Sequence, residues 1–167
     1  MNNKHSKEII YISKAGLIAS VYAVLSVVLA PVSFGVLQYR AAEALTVLLG
    51  FMPESLPGLI IGCLISNIFG GNGLTDIIFG TLATALAGII TRCLIKRLKN
   101  KFLAIVLPTV FVNGIIVGLE LSYIYSLPFI VTAMQVAGSE AIVMLTLGIA
   151  LYAFLEKNNV LNNDNGR

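Results

Sequence analysis

Glu120 and Glu140 stand inside two long apolar stretches, Phe102 to Tyr125 and Leu127 to Leu155, in a chain with almost no other charge between its loops. A carboxylate at membrane depth costs on the order of 2.5–3.5 kcal/mol even on the lenient insertion scale, so two of them ask for a functional explanation. Ionised carboxylates only accept hydrogen bonds, and a pair of them suits a solute with N–H donors along one edge or with a cation. Taking 1.5 Å per residue from the inner helix ends, Glu120 lies about 27 Å up and Glu140 about 21 Å up, both in the outer half. Asn113, seven residues before Glu120, shares its helical face about 16 Å up. Gln135 is level with Glu120 but points about 140° away from Glu140 on a regular helix.

Each of these residues also has a plainer reading. Asn113 and Gln135 suit interhelical hydrogen bonds, which contribute roughly 0.6 kcal/mol on average. Glu120 is close enough to the outer interface to reach water. Glu140 is deeper, and the one cation near the apolar interior is Arg40. Arg40 and Glu43 are spaced i, i+3, which fits a local pair on one helix. The sharper alternative puts Arg40 at a pocket entrance, holding Glu140 or Glu120 or touching solute directly. Thr75-Asp76 before an apolar run reads as a helix N-cap. Asn67 falls near the outer end of a short segment and can line the same cavity, whereas Tyr123 and Tyr125 fit either an interfacial belt or a ligand platform.

The elements that must position these groups follow from composition and punctuation. Of 167 residues, 57% are hydrophobic and 11% charged, with a mean hydropathy of +0.92, which excludes an ordinary water-soluble domain. Apolar segments run from about Ser13 to Val32, Arg40 to Met52, Leu56 to Phe69, Asp76 to Ile95, Phe102 to Tyr125 and Leu127 to Leu155, the last entered through Ser126 and Pro128. The expected fold is all-α, an integral membrane bundle of six transmembrane helices over residues 1–157, with a polar, disordered tail over 158–167. The second and third segments are short, about 20 Å for about 13 residues against a hydrocarbon thickness of about 30 Å. Loops Ser33 to Tyr39 and Gly70 to Thr75 should therefore roof a pocket, because irregular backbone at that depth needs cover. The first apolar run is too long for a signal peptide and reads as a retained helix.

Charge placement predicts orientation. A cytosolic N-terminus puts Lys4, Lys7, Lys14, Arg92, Lys96, Arg97, Lys99, Lys101, Lys157 and Arg167 inside and leaves only Arg40 outside, with both termini cytosolic. The net charge of +3 is thus topological and does not point to nucleic acid. Ala15, Ala19 and Ala23, with Gly16 and Ser20 beside them, form a smooth stripe that lets another helix approach, either inside the bundle or from a partner subunit. The chain has no phosphate-cradling Gly-x-x-x-x-Gly-Lys-Ser/Thr run, its one histidine is His5, and Cys63 and Cys93 have no metal-ligand spacing. Hydrolytic or metal catalysis is disfavoured, and no cofactor is implied.

The run Gly35-Val36-Leu37-Gln38-Tyr39-Arg40-Ala41-Ala42-Glu43-Ala44-Leu45-Thr46-Val47-Leu48 resembles a segment of the queuosine-precursor transporter family, the substrate-binding S components of energy-coupling-factor (ECF) transporters. So do Leu56-Pro57-Gly58-Leu59-Ile60-Ile61-Gly62-Cys63 with Asn67, the run from Asp76 to Thr84, Asn113 to Gly118, and Gly138-Ser139-Glu140. Tyr39, the Ala41-Ala42 pair and Ser139 depart from the family pattern, and Ser139 adds a side chain beside Glu140. The resemblance implies a multi-pass protein of the cell membrane that binds a 7-deazaguanine and docks through Ala15, Ala19 and Ala23 on a transmembrane coupling subunit, itself driven by two cytosolic ATPases. It implies Glu140 on the base edge, Glu120 on a ligand amine, or the reverse, and Asn113 and Asn67 on the carbonyl edge. Arg40, Gln135 and Tyr123 complete the expected site. A self-sufficient secondary transporter or channel is the alternative.

Overall fold

The computed structural model describes residues 3–35 and 38–158. Helices α1 (Asn3–Val28) and α2 (Ala30–Ser33) are followed by a 3₁₀ helix, Ala41–Gly50. Helices α3 (Ser55–Gly70), α4 (Leu74–Ile95), α5 (Lys101–Tyr125) and α6 (Phe129–Val143) follow. A π-helical turn, Met144–Gly148, joins α6 to α7 (Ile149–Lys157). The fold is all-α. Four helical stretches, Lys4–Val28, Leu74–Ile95, Lys101–Tyr125 and Phe129–Lys157, are long and apolar enough to cross a membrane. Ala41–Gly50 and Ser55–Gly70 are shorter apolar helices. The expected tail beyond Asn158, and Val36 and Leu37 of the first loop, lie outside the described residues.

The helices form an arc in which α1 packs on α3, α3 on α4, α4 on α5 and α5 on α6, while the 3₁₀ helix sits at the centre and touches α1, α3, α4, α5, α6 and α7. This central position explains why Ala42, Glu43, Ala44, Thr46, Val47, Leu48 and Leu49 are buried all around rather than along one stripe. At about 2.0 Å per residue, ten residues of 3₁₀ helix reach about 20 Å, the length expected for this segment, although as a tighter coil than an α-helix. Outward faces are apolar: Leu17, Val24, Leu82, Phe111, Ile115, Met134 and Phe154 are all exposed, the pattern of a surface solvated by lipid.

Two expectations change here. Ala15, Ala19 and Ala23 are buried, because α3 lies on that stripe. A Cβ on Gly62 would stand 2.9 Å from the Ala19 carbonyl and 2.7 Å from Tyr22 Cβ, so the small residues of both helices are spent on one intramolecular contact. The stripe is therefore not an open docking face in this conformation; Gly16, Ser20 and Val24 are among the α1 positions turned outward. Ser126 closes α5 in the left-handed conformation rather than starting α6, whose N-cap is Pro128.

Two polar ties secure the end of the bundle near Lys14. Lys14 Nζ lies 2.9 Å from Glu54 Oε1, and Arg92 donates to the Met52 carbonyl and, at 3.3 Å, to Ser55 Oγ. Burial alone would raise the Glu54 carboxyl, but the Lys14 ammonium, bonded to it, holds it below the usual carboxylate range. A depressed folded-state value means that the pair stabilises above the ordinary range for glutamate and that this contribution fades as pH falls through the folded value.

Two predictions follow from this packing. Gly62→Val should overpack the α1–α3 contact and cost about 1–3 kcal/mol, read as a lower denaturation midpoint in detergent micelles. Wild type should exceed Glu54→Gln in thermal stability at neutral pH, and the gap should close on acidification below the carboxylate range, measured by unfolding scans across pH.

Candidate functional site

Arg40 and Asp76 form the centre of the polar region. A hydrogen-bonded turn before the 3₁₀ helix leaves Arg40 at its N-cap, and Asp76 occupies the first turn of α4. Arg40 Nη2 lies 2.9 Å from Asp76 Oδ1, with Arg40 only 4% exposed and Asp76 wholly buried. Asp76 is thus not the N-cap the sequence suggested; Gly73 holds that position. Nor does Arg40 pair with Glu43, Glu140 or Glu120 directly, because Asp76 takes its fork.

Several groups hold this ion pair in place. Gln38 Oε1 accepts from Arg40 Nε at 2.6 Å, and Gln38 itself is in the left-handed region, at φ 49. Such a conformation costs a non-glycine residue of order 1–3 kcal/mol and persists where surrounding contacts over-determine it. The Phe34 ring stands 5.5 Å from the guanidinium carbon. Asn72 Nδ2 donates to the Phe34 carbonyl at 3.3 Å and to Asp76 Oδ2 at 3.4 Å. The two loops expected to form a roof therefore meet over Arg40 and Asp76. Asn67 Nδ2 donates to the Asp76 carbonyl at 3.0 Å, and a Cβ on Gly80 would come within 2.7 Å of that amide nitrogen. Glycine at 80 is what lets α4 pass this close.

Around the ion pair lie acids and amides with unused bonding capacity. Glu120 and Glu140 are both buried. Both carboxylate oxygens of Glu120, one of Glu140, the Asn113 amide nitrogen, the Asn67 carbonyl oxygen and the Gln38 amide nitrogen have no protein partner. Buried polar atoms in folded proteins overwhelmingly find partners, so these atoms mark a candidate site for a polar guest. The layer offers both acceptors and donors, as a heterocycle with mixed edges requires.

Below it the bundle is dry. Val47, Leu48, Leu49, Phe51, Leu59, Ile105, Met144 and Leu155 form one apolar core, with Phe102 and Tyr152 packed on it. Above it, the outer ends of α4 and α5 leave a cleft of about 390 Å³ lined by Thr75, Phe79, Leu119, Glu120 and Tyr123. Its size is within the range of small-molecule sites. Glu120 is common to the cleft and the polar layer.

The expected site residues divide accordingly. Arg40 and Asn67 both bond to Asp76, and Asn113, Glu120 and Glu140 are buried on α5 and α6. Tyr123 is 82% exposed and touches only the outer cleft, and Gln135 is half-buried on the flank of α6, as its angular offset from Glu140 foretold. Sequence reasoning passed over Gln38 and Tyr22 and gave Glu43 only a local role. Gln38 in a short polar interval before Arg40 carried no periodic signal. A tyrosine on an apolar helix looks like any core aromatic.

A family model described as QueT transporter matches residues 12–157 of this chain, from within α1 to the end of α7. Neither a curated protein nor a solved structure matches it.

Because the Arg40–Asp76 pair is buried, breaking it on one side should cost about 3–5 kcal/mol, since the other charge is then left uncompensated. Arg40→Gln is the variant to compare. Adding Asp76→Asn should recover part of the loss, so that the double variant is less destabilised than the sum of the single ones, in a denaturation cycle on detergent-solubilised protein.

Proposed function

Because the chain belongs to the QueT transporter family, we propose that it is the substrate-binding subunit, or S component, of an ECF-type importer for a queuosine precursor. It is a multi-pass membrane protein and a transporter rather than an enzyme. The substrate class is a 7-deazaguanine, as the aminomethyl or nitrile precursor or as queuine. The single observation that carries the reading is the buried layer in which Asn67, Asn113, Glu120 and Glu140 keep unpartnered polar atoms around Arg40 and Asp76.

The chemistry of such a ligand suits this layer. A 7-deazaguanine presents a ring N–H and an exocyclic amine side by side, and one carboxylate can accept both. Glu140 takes the base edge in this reading, Glu120 takes an amine arriving from the α4–α5 cleft, and the Asn113 amide donates to the ring carbonyl. Asn67 and Arg40 set the outer wall. Six spans, with Ala41–Gly50 and Ser55–Gly70 as the two short ones, would put both termini and the basic Lys96-Arg97 region in the cytosol of the cell membrane.

The dry core beneath the polar layer favours a binding subunit over a self-sufficient channel or secondary transporter. Eight or more close-packed apolar side chains separate the site from the Lys14 end, and a polar solute cannot cross them without the bundle moving. That movement would be driven through a transmembrane coupling subunit by two ATPases. With the alanine stripe covered by α3, the coupling subunit would meet another face of the chain.

Purified protein should bind a 7-deazaguanine and gain thermal stability with ligand concentration, while vesicles holding the chain alone should not concentrate it. Glu140→Gln should weaken binding about tenfold or more, about 1.4 kcal/mol, by isothermal titration. Concentrative uptake by the isolated chain, or unchanged affinity in a folded Glu140→Gln, would contradict the proposal.

A further inference from the structure

Glu43 is a buried carboxylate that the substrate reading above leaves without a task. It is 1% exposed on the central 3₁₀ helix. Tyr22 of α1, itself wholly buried, donates its hydroxyl to Glu43 Oε1, tying the carboxylate to a second element. Thr46 Oγ1 donates to the Glu43 backbone carbonyl at 2.7 Å, which pins the helical turn from which the side chain springs. Held in this way, Glu43 keeps Oε2 buried and without a protein partner.

The surroundings decide what that oxygen can meet. Tyr22 from α1 and Thr84 from α4 face the Glu43 carboxylate, and Arg40 stands in its own segment. Thr84 Oγ1 is directed at Cys63 Sγ, 3.2 Å away, and at the Gly80 carbonyl, also 3.2 Å away. Glu140 likewise keeps one oxygen unpartnered. Two buried carboxylates from different elements therefore each keep an unused acceptor. Among the described residues neither forms a salt bridge, and Arg40 bonds Asp76 through Nη2 and Gln38 through Nε. A buried carboxylate without a basic mate is neutralised either by a proton or by a positive group from outside the chain.

We propose that Glu43, aimed by the Tyr22 hydroxyl, is a third substrate-binding carboxylate and that, with Glu140, it receives a protonated amine on the ligand. This rests on the substrate-binding role proposed above but assigns a residue and a selectivity of its own: preference for cationic over neutral members of the ligand class. Tyr22 is a positioning residue. It fixes which oxygen of Glu43 is offered and does not itself touch the ligand. The amine then sits at the floor of the polar layer, against the dry core, and Glu120 serves the approach from the cleft.

The test compares two probes that differ in charge, the aminomethyl and nitrile forms of 7-deazaguanine, by titration calorimetry on purified full-length protein. Glu43→Gln should weaken the aminomethyl form about tenfold or more while changing the nitrile form less than about threefold, because a charge-assisted contact is lost only with the former. Tyr22→Phe keeps the ring and its packing and removes the hydroxyl. It should lower the ratio of the two affinities in the same direction, by about threefold. A ring that served only for packing would leave that ratio untouched. If Glu43→Gln does not fold, the Tyr22→Phe ratio decides alone. Equal effects on both probes, or no effect on either, would overturn the role of Glu43 while leaving substrate binding intact. Failure of the wild-type chain to bind either probe would overturn both.

Discussion

A buried ion pair organises the half of the bundle around the start of α4. Moving Arg40 and Asp76 out of water carries a desolvation cost of several kcal/mol per ion, which their mutual attraction offsets only if the remaining donors and acceptors are also met. The chain meets them from many directions. Gln38 takes Arg40 Nε, Asn72 reaches Asp76 Oδ2, Asn67 takes the Asp76 carbonyl, and Phe34 covers the guanidinium. Even the left-handed backbone at Gln38 and the missing side chain at Gly80 serve this arrangement. Remove the pair, and the two roof loops lose what joins them to α4.

The second constraint is the contrast between a polar layer and the dry core under it. In the same bundle, the 3₁₀ helix passes from Glu43, at the polar layer, to Val47, Leu48 and Leu49 in the apolar core. A single central segment thus sets the boundary between two dielectric regimes. The π-helical turn at Met144–Gly148 belongs to the same boundary: it follows Glu140 by one turn and puts Met144 fully inside, where Thr46 Oγ1 lies 3.5 Å from its sulfur. Local π geometry commonly occurs where a helix must re-aim side chains near a site.

Unmet hydrogen-bonding capacity ties stability to binding. Each buried, unpartnered polar atom costs the folded chain about 1–3 kcal/mol, and a guest that supplies the missing partners returns part of that. The acids and amides of the polar layer come from the 3₁₀ helix, α3, α5 and α6. A solute that bonds to all of them cross-links elements that protein contacts alone join less completely.

Much of this was legible from the residues. Composition and segment length determined an all-α, lipid-facing chain, and helix bounds after the first segment fell close to those expected, because proline, glycine and charge punctuate apolar runs strongly, whereas α1 begins at Asn3, well before the expected Ser13. The outlying carboxylates Glu120 and Glu140, with Arg40, Asn67 and Asn113, stood out since ionisable and amide groups are rare where water is excluded. What the sequence could not determine was partnership. The i, i+3 spacing of Arg40 and Glu43 pointed to each other, yet the fold sends Arg40 to Asp76 and Glu43 to Tyr22, residues 36 and 21 positions away. The alanine stripe announced a close helix contact without saying whose, and only the tertiary structure brought α3 onto it. Periodicity reports which face of an element is apolar; pairing across elements depends on how they pack in space, and that distance information is not carried by any local pattern.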